Sequence, residues 1–309
     1  MLANFLEKSK PINFIIYLGF FLCFFLIATI TSYFNDGFSW IKVLDIIGFL
    51  FLFLTIFFFF NFITTKNKLT FDHSYAFFIF ILISILFVSK LLDFNVLILL
   101  LIHLLFLRKI YSLRSSKSVI QKLFDSGFWL GILFILEPIS IVFFLLIIVS
   151  VILQLKVTIS NIITPVVGFI TPLIIYFTYL FWYDTIDVFI ALFSFDPIIP
   201  LLIYAEDATI WIFGTLLLLS IFSIFLKSPK ALSVNNSFKR SWQLLIINLI
   251  LAVVYALLIT NKDGSEVIFL ALPASVIIAN GFEVIQKKMI KNGLFFGLII
   301  LAIVGFFWL

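Results

Sequence analysis

The groups whose type and spacing could do chemistry are carboxylates beside helix breaks. Glu137 stands immediately before Pro138. Proline ends a helix and frees a backbone carbonyl, which leaves the carboxylate beside the break. An ionisable residue inside an apolar run is costly, so function is its default reading; the plainer one is a cap on the turn between two helices. Asp36 and Asp45 flank the start of another apolar run. They could act as general base or hard-metal ligand, against the plainer role of a solvated turn and an acid favoured by a helix dipole. Asp184 and Asp187 are spaced i, i+3 and on a helix would share a face. With Glu206 and Asp207 they could hold Mg²⁺ or Ca²⁺, although no D-x-D or EF-hand pattern accompanies them.

The other candidates are basic or aromatic. His103 and His73 are isolated and form no H-E-x-x-H zinc motif; His103, near Arg108, reads as a dipole partner close to a helix end. The stretch Arg108–Lys122 carries Arg108, Lys109, Arg114, Lys117 and Lys122. It could bind anionic lipid head groups or a nucleotide-like phosphate. No glycine-rich phosphate loop accompanies it, and plain insertion charge is the simpler explanation. The residues name no cofactor. The lone cysteine, Cys23, permits neither an internal disulfide nor a metal cluster.

The elements that must position these residues are membrane spans. The chain has 309 residues, 64% hydrophobic and 11% charged, against about 25% charged in an ordinary soluble domain. Only a bilayer solvates that much apolar surface, and the 44 phenylalanines suit a lipid-facing one. A net charge of +5 scattered between apolar runs makes no groove-sized patch for nucleic acid. The spacing predicts an all-α polytopic transmembrane bundle of about eleven spans. They are Ile12–Ser32, Val43–Ile63, Tyr75–Ser89, Phe94–Leu107, Phe124–Leu136, Ile139–Leu155, Ile162–Trp182, Thr209–Leu226, Leu244–Thr260, Val267–Phe282 and Leu294–Leu309. The first is longer than a signal core and should be retained. Residues 1–309 read as one membrane domain, and 183–208 as an acidic outer-face segment with an interfacial helix. The runs Phe94–Leu107 and Phe124–Leu136 are short for a crossing, and Pro165 and Pro172 should kink the seventh span.

With the N-terminus in the cytoplasm and the C-terminus outside, 17 Lys and Arg fall inside and 3 outside, as the positive-inside rule requires. Eleven of the 15 acids fall at the outer face, which insertion does not demand. That asymmetry places a candidate catalytic set, Glu137, Asp45 and Asp36, at the outer side, with Asp184 and Asp187 as a candidate metal pair. The bilayer is the expected partner, together with a lipid-linked substrate and no nucleic acid.

Two resemblances accompany these patterns. Lys8-Ser9-Lys10-Pro11-Ile12-Asn13-Phe14 and the stretch Phe124–Trp182, with Asp125-Ser126-Gly127-Phe128, Gly131, Pro138 and Gly168-Phe169-Ile170-Thr171-Pro172, resemble an uncharacterised family of multi-pass inner-membrane proteins of Bacteroidetes-type bacteria. Members have carried a carotene-oxygenase label, but such enzymes hold iron with several histidines and this chain has two. More loosely, the path from Gly127 to Pro138 resembles polytopic glycosyltransferases that use lipid-linked sugars. Those show paired acids in a long first outer loop; here that loop holds one, Asp36. The resemblances imply an inner-membrane location. Two expectations remain: the lack of a recognisable catalytic constellation points to a transporter-like or accessory component of envelope biogenesis, and the short helices around Glu137 with the acidic outer face point to a glycosyltransferase-like enzyme acting on a lipid-linked substrate at that face.

Overall fold

A computed structural model of the chain describes residues 2–34, 39–194, 208–233, 236–259 and 264–308. Those residues form helices and connections, with no strand among them. In order they are α1 (Leu2–Leu6), α2 (Pro11–Tyr33), α3 (Trp40–Lys66), α4 (Tyr75–Leu86), α5 (Phe94–Ser112), α6 (Val119–Leu136), α7 (Phe144–Leu153), α8 (Ile159–Trp182), α9 (Ile186–Ala191), α10 (Ala208–Ser233), α11 (Asn236–Leu258), α12 (Ala271–Val284) and α13 (Lys288–Trp308). Short 3₁₀ turns follow α4 (Val88–Leu91) and lead into α7 (Pro138–Phe143) and α12 (Ser265–Leu270). Helices suit this composition because they satisfy their own backbone groups where no water is present. Their starts are marked locally. Pro11 opens α2, and the side chains of Ser39, Asp93 and Thr158 accept bonds from first-turn N–H groups of α3, α5 and α8.

Nine helices among the described residues are long and apolar enough to cross a membrane, and Tyr75–Leu86 and Pro138–Leu153 are shorter apolar ones. The two runs expected to be short are not. α5 has 19 residues and α6 has 18, or roughly 27–29 Å at 1.5 Å per residue. Charge is a poor helix boundary here: Arg108 and Lys109 lie in the final turns of α5 and Lys122 in the first turn of α6. Long basic side chains lay their stems on apolar surface and lift the charge outward. The Arg108 guanidinium lies 5.8 and 5.3 Å from the ring centres of Phe59 and Phe62 on α3.

The centre of the bundle is α4 and α12. All twelve residues of α4 are buried, as are nearly all those of α12. α12 packs on α4, α10 and α11. Phe60 of α3 stacks on Phe80 of α4 at 4.0 Å, and a Cβ on Gly281 of α12 would fall 2.4 Å from Ser223 of α10.

A second close approach joins α6 to α8. A Cβ on Gly127 would lie 2.0 Å from the Pro165 carbonyl oxygen, and one on Gly131 2.4 Å from that of Phe169. One on Gly168 would lie 2.2 Å from that of Phe124. Glycines four apart on one helix let two backbones touch, as in small-residue packing between membrane helices. α8 runs as one helix through Pro165 and Pro172, and both are buried with Gly168. Of the acidic segment 183–208, the described part contains the six-residue α9, whose residues are exposed or half-buried; residues 195–207, including Glu206 and Asp207, lie outside the described residues.

Connections far apart in sequence meet at each end of the bundle. At one end the Ala3 N–H donates to the Asn292 side chain and Ser74 N–H to the Leu6 carbonyl. There too Arg114 donates to the Asn67 carbonyl and Lys156 to that of Leu113, and Phe71 packs on Phe238. Lys227 pairs with Glu283 at 2.7 Å, with His73 at 3.8 Å from the same carboxylate. At the other end Lys90 donates to Thr209, and Gly264 lies against both.

Candidate functional site

The residue types that gather most densely are cations. The end of α3, the last turns of α5 and the first turn of α6 splay apart and leave a cleft of about 570 Å³. Lys66, Lys68, Arg108, Lys109, Arg114, Lys117 and Lys122 line it, with the hydroxyls of Ser112, Ser115, Ser118 and Ser237 and the amide of Asn67. No carboxylate lines it. Beside it, Asp125 pairs with Lys109, the only carboxylate bridge to a cation of the cleft among the described residues.

Local structure fixes several of these groups without neutralising them. Arg114 donates to the carbonyls of Asn67 and Lys68. Lys122 donates to the carbonyl of Ser112 and to the carbonyl and hydroxyl of Ser115. Carbonyl acceptors orient an ammonium or guanidinium but leave its full charge in place. The mutual repulsion shows on Lys156 behind the cleft, which burial and then the charges of Lys122 and Arg240 hold below the ordinary lysine range. Lys68 and Ser118 both take left-handed backbone angles, φ +48° and +50°. Ser118 precedes α6 and makes no side-chain cap bond, so the first-turn N–H groups of α6 add their positive dipole end to the same wall.

A second cavity of about 470 Å³ adjoins the first and shares Lys68 and Arg114 with it. Its remaining wall is mixed, with Asn61, Thr64, Thr65, Asp72 and His73 beside Phe14 and Phe77. Together the two cavities offer concentrated positive charge next to hydrogen-bonding side chains, an arrangement that binds and orients an anion.

The acids singled out from sequence sit elsewhere. Glu137 caps the far end of α6, where its backbone is extended and its N–H bonds the Leu133 carbonyl. That is about 27 Å along α6 from Val119. Burial raises the Glu137 pKa, opposed by a bond from the Ile139 N–H. Asp45 lies half-buried in the second turn of α3, and Asp36 falls outside the described residues. Asp184 occupies a turn with φ +53° and Asp187 opens α9; both are exposed, and they do not share a helix face because Asp184 precedes the helix. Among the described residues no three His, Cys, Asp or Glu side chains converge to hold a metal ion.

His103 is not at a helix end. It is fully buried in mid-α5, with ring contacts to Phe143 at 4.6 Å and Phe269 at 5.0 Å, and neither ring nitrogen has a hydrogen-bond partner. Sequence reasoning missed the Lys227–Glu283 pair and the bond from Asn248 to the Tyr111 hydroxyl. Nothing in the chain pattern marks residues 56 and 137 positions apart as partners.

By the length and composition of its helices the chain is a multi-pass helical membrane protein. A family model described as a family of unknown function, DUF6427, matches residues 1–309, and the chain belongs to that family. No curated protein and no solved structure matches it.

Proposed function

We propose that this is an inner-membrane protein of eleven crossings, N-terminus in the cytoplasm and C-terminus outside. In this reading it is a transporter-like or accessory component of envelope biogenesis, in a membrane of the Bacteroidetes type, that works through its basic, cytoplasmic end. One observation carries the reading. The connections that the positive-inside count assigns to the cytoplasm bond to one another at a single end of the bundle, and both cavities open among them. The two shorter apolar elements, each lengthened by its 3₁₀ turn, complete the alternation of ends that eleven crossings need.

Paired enzymatic and fluorescent reporters fused after Leu309, and inserted between Gln154 and Thr158, test the sidedness. The expectation is activity outside for the first and in the cytoplasm for the second; cytoplasmic activity after Leu309 refutes the odd count. Complementation of a chromosomal deletion tests the working end. Neutralising Lys66, Arg108 and Lys117 should abolish it, whereas Asp45→Asn should not.

A second reading keeps chemistry at the far end, as in a lipid-linked-sugar transferase using Glu137, Asp36 and Asp45. It is favoured by the raised pKa of Glu137, which suits a carboxyl for proton transfer. Loss of function in Glu137→Gln, with normal accumulation in the membrane, would select it.

A further inference from the structure

We propose that the cleft between α3, α5 and α6 is a binding site for a phosphate-bearing anion, with a phosphomonoester or diphosphate as its natural fit. The proposal deepens the reading of the basic end as the working end, but it needs no particular sidedness of the membrane.

Insertion charge alone explains basic residues in loops. It does not explain three things found together. First, the charges converge: seven cations from two stretches of the chain, 66–68 and 108–122, line one concavity, although insertion is served equally well by charges that point apart. Second, the cleft has the donors a phosphate uses. Arg108 and Arg114 offer forked N–H groups, which match phosphate oxygens in pairs. Ser118 offers a hydroxyl, those of Ser112 and Ser115 being turned to the Lys109 and Ser112 carbonyls, and α6 presents an N-terminal turn without a side-chain cap, the backbone feature that receives anions. Third, the charge is left largely uncompensated. Arg114 and Lys122 are held by carbonyls, Arg108 by the faces of Phe59 and Phe62, and only Lys109 by a carboxylate among the described residues. A cleft built for a protein's own ion pairs would be lined by acids. This one holds positive charge in place and open.

The charge count decides the class of anion. A single carboxylate or chloride would leave most of it unbalanced, and two or three negative charges within one small group are what phosphate supplies. The volume, about 570 Å³, takes one or two phosphates and a short polar substituent, which the adjoining cavity of Asn61, Thr64 and Thr65 can receive. The level of the site allows two sources. Lys66, Arg108, Lys109 and Lys122 all belong to terminal turns of long apolar helices, the depth at which lipid head groups lie. The mouth is also lined by exposed residues of the 113–118 connection, which a soluble phosphate could reach.

The test uses the full chain in nanodiscs of phosphatidylcholine, titrated calorimetrically with inorganic pyrophosphate and, separately, with dihexanoyl phosphatidic acid. The test variant is Lys66→Gln/Arg108→Gln/Lys117→Gln, chosen because none of the three holds a carbonyl in place. The control is Lys8→Gln/Lys10→Gln/Lys287→Gln, which removes equal charge from the same end away from the cleft. Thermal melting of both without ligand confirms that they fold. At about 1 kcal/mol per cation near an anionic group, the test variant should lose affinity by on the order of a hundredfold, and the control should bind like the wild type. Saturable binding of phosphatidic acid with none of pyrophosphate assigns the site to a lipid head group; the reverse assigns it to a soluble phosphate; mutual competition assigns it to the phosphate itself. Equal losses in test and control reduce the cleft to a diffuse basic field and overturn the proposal, as does failure of both probes to bind the wild type.

Discussion

Replacing Gly127 by alanine adds one methyl group where α6 and α8 touch. The new Cβ would lie 2.0 Å from the Pro165 carbonyl oxygen and 2.9 Å from the Phe169 nitrogen. Both are backbone atoms, so no flexible side chain can swing aside, and the helices must part by roughly 1 Å or more to restore ordinary contact. Alanine gains about 1 kcal/mol of helix propensity over glycine. Overpacking a tight contact costs about 1–3 kcal/mol, and the loss of backbone contacts along Gly131 and Gly168 adds to it. The balance falls on destabilisation by roughly 1–2 kcal/mol. Gly214→Ala on α10 is the matched control, since nothing lies within 4 Å of its Cβ position; it should be neutral or stabilising by up to about 1 kcal/mol. Melting of both variants in one detergent, followed by tryptophan fluorescence, makes the comparison. A Gly127→Ala protein as stable as the Gly214→Ala protein would falsify the account of close packing.

Three further outcomes are expected. Glu283→Gln removes the partner of the buried Lys227 and should cost about 2–3 kcal/mol, less than the roughly 3–5 kcal/mol of a fully buried pair because Glu283 is partly exposed; Lys227→Met/Glu283→Leu should recover most of that loss in thermal unfolding. His103→Phe should leave stability unchanged or raise it, because two unpartnered buried nitrogens disappear, and a clear drop in melting temperature would show that the ring has a partner in the working protein. Glu137 binds its proton more tightly folded than unfolded; its contribution is therefore full below the unfolded carboxylate range and is lost as pH rises through its folded value, so Glu137→Gln should flatten that part of the pH–stability curve and leave the protein more stable at neutral pH.

Much of the helix inventory was legible because apolar runs and their turns are local. Helix ends were less so: Arg108, Lys109 and Lys122 looked like boundaries and are helical, since a charge on a long stem does not have to end a helix. Depth within the bundle was not legible at all. Tyr75–Leu86 is wholly buried and Ile159–Trp182 is largely exposed, yet both read simply as apolar, because lipid and protein core select the same side chains. The contact of Gly127 and Gly131 with the Pro165 and Phe169 backbone, and of Gly168 with that of Phe124, depends on which helices are neighbours, which periodicity does not tell. The basic stretch Arg108–Lys122 was visible, but its convergence with Lys66 and Lys68 into one cleft is a tertiary fact.

The placing of α4 and α12 at the centre has a consequence for synthesis. Roughly 185 residues separate the end of α4 from the start of α12, and at about 5–20 residues per second the ribosome needs roughly 10–40 s to cross them. For that interval α4, with its buried Ser84 and a length of about 18 Å, has no helix to lie against on the α12 side. It must wait in the insertion machinery, against lipid, or beside α2 and α3, which are already made. A chain that stops before Leu270 has every peripheral wall but α13 and only α4 of the two central helices, so nascent chains truncated there should be the form that membrane quality control removes.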